Sequence, residues 1–97
     1  MEYLKVLWVH QGSKDPVILM SELDDARYEV RKIEIFRDGR MGFASESDAS
    51  DGTILGEKPV PPASEIATDA QFIVEPLSAP EFEQAWLTAK AGNRWKT

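Results

Sequence analysis

The chain has 97 residues, of which 42% are apolar and 9% aromatic, and this length and composition predict a single domain over residues 1–97. The sequence has no cysteine, no apolar run that approaches the roughly 18 residues of a membrane span, and no secretory signal. These features exclude disulfides and thiolate metal sites, and they predict a cytoplasmic protein without a membrane partner. Eleven basic against seventeen acidic residues give a net charge of −6, which disfavours a generic nucleic-acid binder because phosphate contacts require a basic surface.

The first two predicted elements are strands. Residues 3–10 combine β-branched and aromatic side chains, and apolar residues on both faces between Val6 and Val9 predict an inner strand that is covered on two sides. Residues 17–23 form a second apolar run, and its short length favours a strand over a helix.

A β-hairpin is predicted over residues 28–45. The Asp-Gly pair at 38–39 suits a two-residue type I′ turn, in which both central residues have positive φ angles, and this turn would place Phe36 opposite Met41. The apolar alternation changes phase along the first strand. This change predicts a β-bulge near residues 31–32 or, alternatively, a strand that is buried on both faces.

Residues 45–64 are predicted to be rich in loops. Small, turn-forming side chains dominate residues 45–53. The three prolines within residues 56–64 predict an extended segment that is neither a helix nor a central strand, because proline lacks the backbone donor. A short strand is predicted over residues 72–74.

An amphipathic helix of about 13 residues is predicted next. Ser78 and Glu81 match a capping box, Leu77 can contact Phe82 as a hydrophobic staple, and Gly92 ends the apolar periodicity. The helix face with i, i+3, i+4, i+7 spacing consists of Phe82, Ala85, Trp86 and Ala89. One such helix against an antiparallel sheet of four to five strands is an α+β fold.

Residues 93–97 are predicted to be a tail after the helix. Trp95 within it is expected to pack back onto the body of the domain. The alternatives are a free side chain or an anchor for a partner, since tryptophan is enriched at the energetic centres of interfaces. Trp95 is therefore a candidate binding residue.

Negative charge is concentrated in residues 41–86, where nine acidic residues and one basic residue give a charge of −8. A negative surface of this kind attracts a basic protein and speeds the encounter at low salt. The residues predicted to contact such a partner are Glu46, Asp48, Asp51 and Glu57.

The residue types needed for catalysis or metal binding are sparse. His10 is the only histidine, and its pairing with Asp15 or Glu22 would make the chain a small enzyme, which is an alternative to the binding function. The acidic residues Glu22, Asp24 and Asp25 lie close in sequence but equally suit a solvated turn. No catalytic residue, metal or cofactor is predicted.

A second alternative is a module that binds single-stranded RNA on the 27–43 hairpin. Tyr28, Arg31, Lys32 and Phe36 would then form a platform on which bases stack. In the simpler interpretation the aromatic residues face the core and the basic residues face water. The sign of the net charge argues against nucleic acid as a partner.

Five segments resemble a known family: residues 1–10, 15–24 and, above all, 27–40, together with Pro-Val-Pro-Pro at 59–62 and Phe-Glu-Gln-Ala-Trp at 82–86. Together they resemble a family of short bacterial proteins described as a domain of unknown function. The loop 45–57 and the residues after Gly92 depart most from the family's pattern.

The resemblance implies no activity and no catalytic residue. Members are similar in style to small immunity proteins of bacterial toxin systems, because they are single-domain, acidic and poor in cysteine. The function expected from this analogy is a non-enzymatic protein-binding module that neutralises a basic toxin domain through its acidic surface.

Overall fold

A computed structural model describes residues 1–50 and 52–96, so Asp51 and Thr97 lie outside the described residues. The elements, in chain order, are β1 (Glu2–Trp8), β2 (Ile18–Leu23), β3 (Glu29–Ile35), β4 (Met41–Ser45), α1 (Ala63–Ile66), β5 (Phe72–Glu75) and α2 (Ala79–Lys90). Neither helix of this described part has the length and apolar character needed to cross a bilayer.

The five strands form one sheet in the order β4-β3-β2-β1-β5, and every neighbouring pair is antiparallel. The predicted α+β class is confirmed. β1 lies between β2 and β5, as its two apolar faces predicted, since an inner strand covered on both sides needs apolar residues in both phases.

The predicted two-residue turn of the hairpin is wrong. Ile35 pairs with Met41, and the backbone N–H of Phe36 donates to the carbonyl of Arg40, so the loop has the three residues 37–39. Gly39 has a positive φ of 91°, whereas Asp38 does not enter the left-handed region. A single left-handed residue after a type I turn is typical of a three-residue loop, which shifts the register by one residue.

The predicted β-bulge is present one residue before the expected position. Arg31 pairs with Glu22 and Glu29 pairs with Leu23, so Val30 has no partner across the strand pair. Because a bulge reverses the alternation of side chains, Glu29 shares the face of its partner Leu23, whereas Arg31 lies on the other face, which also carries Ile33.

Helix α2 covers that face of the sheet. Ser78 caps the helix, and it exchanges both hydrogen bonds of a capping box with Glu81. The predicted apolar face is confirmed, because Phe82, Ala85, Trp86 and Ala89 are all buried. They pack against a cluster centred on Met20, Ile33 and Ile35.

The opposite face of the sheet is covered by the proline-rich segment and the single turn of α1. Leu4, Val6 and Leu23 form the buried cluster there, and the partly buried side chains against it include Val60 and Ile66. The prediction that residues 56–64 contain no helix is wrong at their end, because α1 begins at Ala63. Prolines are tolerated just before a first helical turn, where the backbone N–H groups have no helical partner.

The C-terminal segment, residues 93–96, lies against the hairpin loop instead of projecting as a tail. The backbone N–H of Trp95 donates to the carbonyl of Gly39 at 2.9 Å, and Arg94 Nη1 donates to the carbonyl of Asp38 at 2.8 Å. The indole of Trp95 packs against the cluster beneath α2. The predicted packing of Trp95 onto the body is therefore confirmed.

Candidate functional site

One end of the sheet collects acidic side chains from two connections, the loop between β2 and β3 and the long segment between β4 and α1. The register places Glu2, Leu23, Glu29 and Ser45 at this end, because each begins or ends its strand there. The carboxylate of Glu29 accepts a hydrogen bond of 2.6 Å from the backbone N–H of Gly56, which draws the proline-rich loop to the same end. We call this surface the acidic end, and its members are Asp24, Asp25, Glu46, Asp48 and Glu57.

The acidic end contains three of the four predicted acidic binding residues. Glu46 and Glu57 are exposed, and neither forms an ion pair with another described residue. Asp48 lies 2.6 Å from the ammonium of Lys90, and this hydrogen-bonded partner holds the pKa of the Asp48 carboxyl below its usual value. Asp51 lies outside the described residues.

Trp95 is not part of this surface. It lies beside the hairpin loop 37–39, at the opposite end of β3 and β4 from Glu46. The five predicted binding residues therefore do not form one contiguous site. A partner that binds the acidic end contacts Trp95 only if it also spans the length of the strands.

Arg31 forms a hydrogen-bonded network beneath α2 that the sequence analysis missed. Its guanidinium donates to both carboxylate oxygens of Glu22, at 2.7 and 2.9 Å, and to the carboxylate of Glu83 on α2. The side chain of Glu22 is only 7% exposed. The same guanidinium lies over the rings of Phe82 and Trp86, 5.0 and 5.1 Å from their centroids. Arg31 thus joins the sheet to the helix by charge and by ring contact.

The charges in this network reinforce one another. Hydrogen bonds from Arg31 lower the pKa of Glu22 and of Glu83, although partial burial of each carboxyl opposes the shift. The hydroxyl of Tyr3 donates to Glu22 at 2.8 Å, and this hydrogen bond raises the pKa of Tyr3. Because the oxygens of Glu22 are already occupied, the network holds the fold together and offers no general base.

Stability is expected to fall on acidification through this network. The folded pKa of Glu22 lies below the ordinary value of 4.5, so near and below that pH the unfolded chain binds more protons. The contribution of Glu22 is therefore complete above about pH 5 and is lost as the pH falls through the folded pKa. Urea denaturation from neutral to acidic pH should show that Glu22→Gln is less stable than the wild type at neutral pH and equally stable in acid. A stability difference that does not change with pH would contradict this role.

His10 is held by hydrogen bonds to the backbone of its own loop. Nδ1 accepts from the N–H of Gly12 at 3.0 Å, which leaves the proton on Nε2 to donate to the carbonyl of Pro16 at 2.8 Å. The ring also packs on Trp8, with centroids 4.4 Å apart. Glu22 pairs with Tyr3 at the other end of β1, so the sequence-based pairing of His10 with Glu22 is not formed. This geometry suits a loop anchor, since neither ring nitrogen is free to accept a substrate proton.

The other candidate groups are dispersed as well. Among residues 1–50 and 52–96 no group of three metal-ligating side chains is found. Asp24 uses its carboxylate to accept hydrogen bonds from Ala26 and Tyr28 in a tight turn. For the RNA alternative, Arg31 and Lys32 point to opposite faces of β3, and the guanidinium of Arg40 covers the ring of Phe36. The four platform residues thus do not share one surface.

A cleft of about 590 Å³ lies between α2 and the C-terminal segment. Lys5 and Met20, which pair across β1 and β2, line it together with Gln84 on the helix and Trp95 on the segment. No local sequence pattern predicts this cleft, because its walls come from residues that are distant in sequence.

The fold and these surfaces define a small α+β protein whose antiparallel sheet is covered by a helix on one face and by a proline-rich segment on the other. The chain belongs to the family described as Domain of unknown function (DUF6881), which matches residues 2–91. The predicted membership of an uncharacterised family is confirmed. No curated protein and no solved structure matches the chain.

Proposed function

We propose that this chain is a non-enzymatic protein-binding module that neutralises a basic partner through its acidic end. The observation that carries the proposal is the position of Glu46, Asp48 and Glu57 on one end of the sheet, where Ser45 ends β4 and Glu29 holds the proline-rich part of the same β4–α1 connection. A surface with this charge accelerates the approach of a basic protein and favours it over acidic competitors.

The partner that fits this surface best is the basic domain of a bacterial toxin, and the protein is then an immunity protein of the cytoplasm. Support comes from the net charge of −6 and from a histidine whose ring nitrogens are both occupied. The active site of a nuclease is basic because it binds phosphates, so an acidic protein can cover it by charge complementarity.

Charge reversal tests the proposal. The partner to use is the C-terminal domain of the protein whose gene lies immediately upstream of the gene for this chain. The variant is Glu46→Lys combined with Glu57→Lys. The association rate at low salt should fall about 10- to 100-fold, because electrostatic steering is lost. The effect should shrink at high salt as charges are screened.

The matched control is Glu65→Lys combined with Asp69→Lys, which makes the same change in net charge on exposed residues in and just after α1. An unchanged rate in the first variant, or an equal loss in both, would refute the acidic end as the contact. If the wild-type chain neither binds this domain nor relieves its toxicity, the immunity function is wrong.

A further inference from the structure

The cleft between α2 and the C-terminal segment is a basic concavity on an acidic protein. Three basic side chains line it, from Lys5, Arg94 and Lys96, against one acidic side chain, from Glu81. The carboxylate of Glu81 already accepts a hydrogen bond from the backbone N–H of Ser78 in the capping box. The lining therefore carries a formal charge of +2, from three positive charges and one negative, whereas the chain carries −6.

The basic groups of the cleft retain free donors. Arg94 donates one N–H to the carbonyl of Asp38 and lies 3.7 Å from the carboxylate of the same residue, which still leaves most of its five donors available. Lys5 lies 3.4 Å from Glu75 and has three donors to share. For Lys96 no hydrogen bond or ion pair is found with the rest of the described chain. An anionic ligand can thus gain hydrogen bonds here without breaking the contacts of the fold.

An apolar strip continues the floor of the cleft. Side chains alternate along a strand, so Lys5 and Leu7 share one face of β1, and Leu7 pairs with Ile73 on β5. Val9 follows the end of β1 in the same phase, and its backbone N–H continues the pairing by donating to the carbonyl of Gln71. Val9 is 54% exposed and Ile73 is 48% exposed. Helix α2 packs on β3 and β4 and leaves this part of the face open. The name apolar strip denotes Leu7, Val9 and Ile73.

We propose that the cleft and the apolar strip bind an acidic, extended segment of a partner protein. Carboxylates of the segment would meet Lys5, Arg94 and Lys96, and an apolar side chain would pack on Trp95 or Ile73. A peptide fits this surface better than a small anion, because two of the three basic side chains, Arg94 and Lys96, are exposed and the apolar contact extends beyond the cleft. Small-molecule sites are more enclosed and have fixed polar groups. This surface shares no residue with the acidic end, so the proposal does not depend on the proposed function.

A selection from a random peptide library displayed on phage, with the immobilised full chain as target, tests the proposal. Recovered peptides should be acidic and should contain at least one apolar residue. Fluorescence anisotropy with the labelled peptides should then show at least about tenfold weaker binding to Arg94→Glu combined with Lys96→Glu. Lys96→Glu alone should also weaken binding, and it leaves the contacts of Arg94 with the hairpin loop intact.

The matched control is Lys14→Glu combined with Lys58→Glu, since both lysines are exposed and lie outside the cleft. This variant has the same net charge as the double variant in the cleft and should bind the peptides like the wild type. Failure to recover peptides, recovery without an acidic bias, or equal losses in the two double variants would overturn the proposal. If adenosine triphosphate binds the cleft as tightly as the peptides do, the ligand is a small anion and the proposal of a peptide site is wrong.

Discussion

Replacement of Arg31 by methionine is expected to lower the free energy of unfolding by about 3 kcal/mol. Methionine retains an unbranched apolar stem against Phe82 and Trp86 but removes the guanidinium. The carboxylate of Glu22, with its side chain 7% exposed, is then left in the protein interior without its cation. When a buried charge loses its partner, the free energy of its desolvation is no longer offset by attraction to a cation. Urea denaturation followed by circular dichroism measures the loss.

Two further variants separate this effect from a general loss of charge. Arg40→Met removes another arginine that pairs with a carboxylate and lies over an aromatic ring, but its side chain is 61% exposed. Its cost should be no more than about 0.5 kcal/mol. Addition of Glu22→Gln to Arg31→Met should recover part of the stability, because the amide removes the buried charge and still accepts from Tyr3. Equal losses for Arg31→Met and Arg40→Met would exclude the network as a major source of stability.

Helix α2 was predicted accurately because its signals are local. The capping box joins Ser78 and Glu81, which are three residues apart, and the positive φ of Gly92 follows the last turn. These hydrogen bonds and backbone preferences depend on neighbouring residues only. The β-bulge was also predictable, because the phase change of apolar residues lies within one strand.

The hairpin turn was predicted incorrectly because distant residues contribute to it. The carbonyls of Asp38 and Gly39 accept hydrogen bonds from Arg94 and Trp95, more than fifty positions away in the sequence. A propensity for Asp-Gly turns contains no information on that segment. The same holds for the pairing of β5 with β1, since strand order depends on contacts between separate parts of the chain.

The sequence contains a pattern that identifies Arg31 as a core-facing residue, and the structure shows what that pattern means. Arg31, Ile33 and Ile35 alternate in the same phase, so Arg31 belongs to the core-facing side of β3. A basic residue in phase with core residues implies a buried acidic partner, because an unpaired charge is costly there. The partner itself was not predictable, since Glu22 becomes adjacent only through the pairing of β2 with β3. The acidic binding residues were easier to group, because Glu46 and Asp48 follow the end of a single strand.

Replacement of Phe82 by alanine is expected to cost about 4 kcal/mol, the largest effect of any single substitution proposed for this chain. Phe82 is fully buried, its ring lies 5.4 Å from that of Tyr3, and it supports the guanidinium of Arg31. Alanine removes apolar contact area and leaves a cavity that the rigid sheet cannot fill. It also removes one of the two rings that hold the charged network in place.

Leu87→Ala on the same helix provides the matched control. Leu87 is 67% exposed, so its truncation removes a large apolar side chain from solvent and should change stability by no more than about 0.5 kcal/mol. Both substitutions replace a residue with alanine in α2, and helix propensity therefore does not explain a large difference between them. Urea denaturation at neutral pH measures both values. A loss for Phe82→Ala as small as that for Leu87→Ala would mean that α2 contributes little to the stability of the sheet.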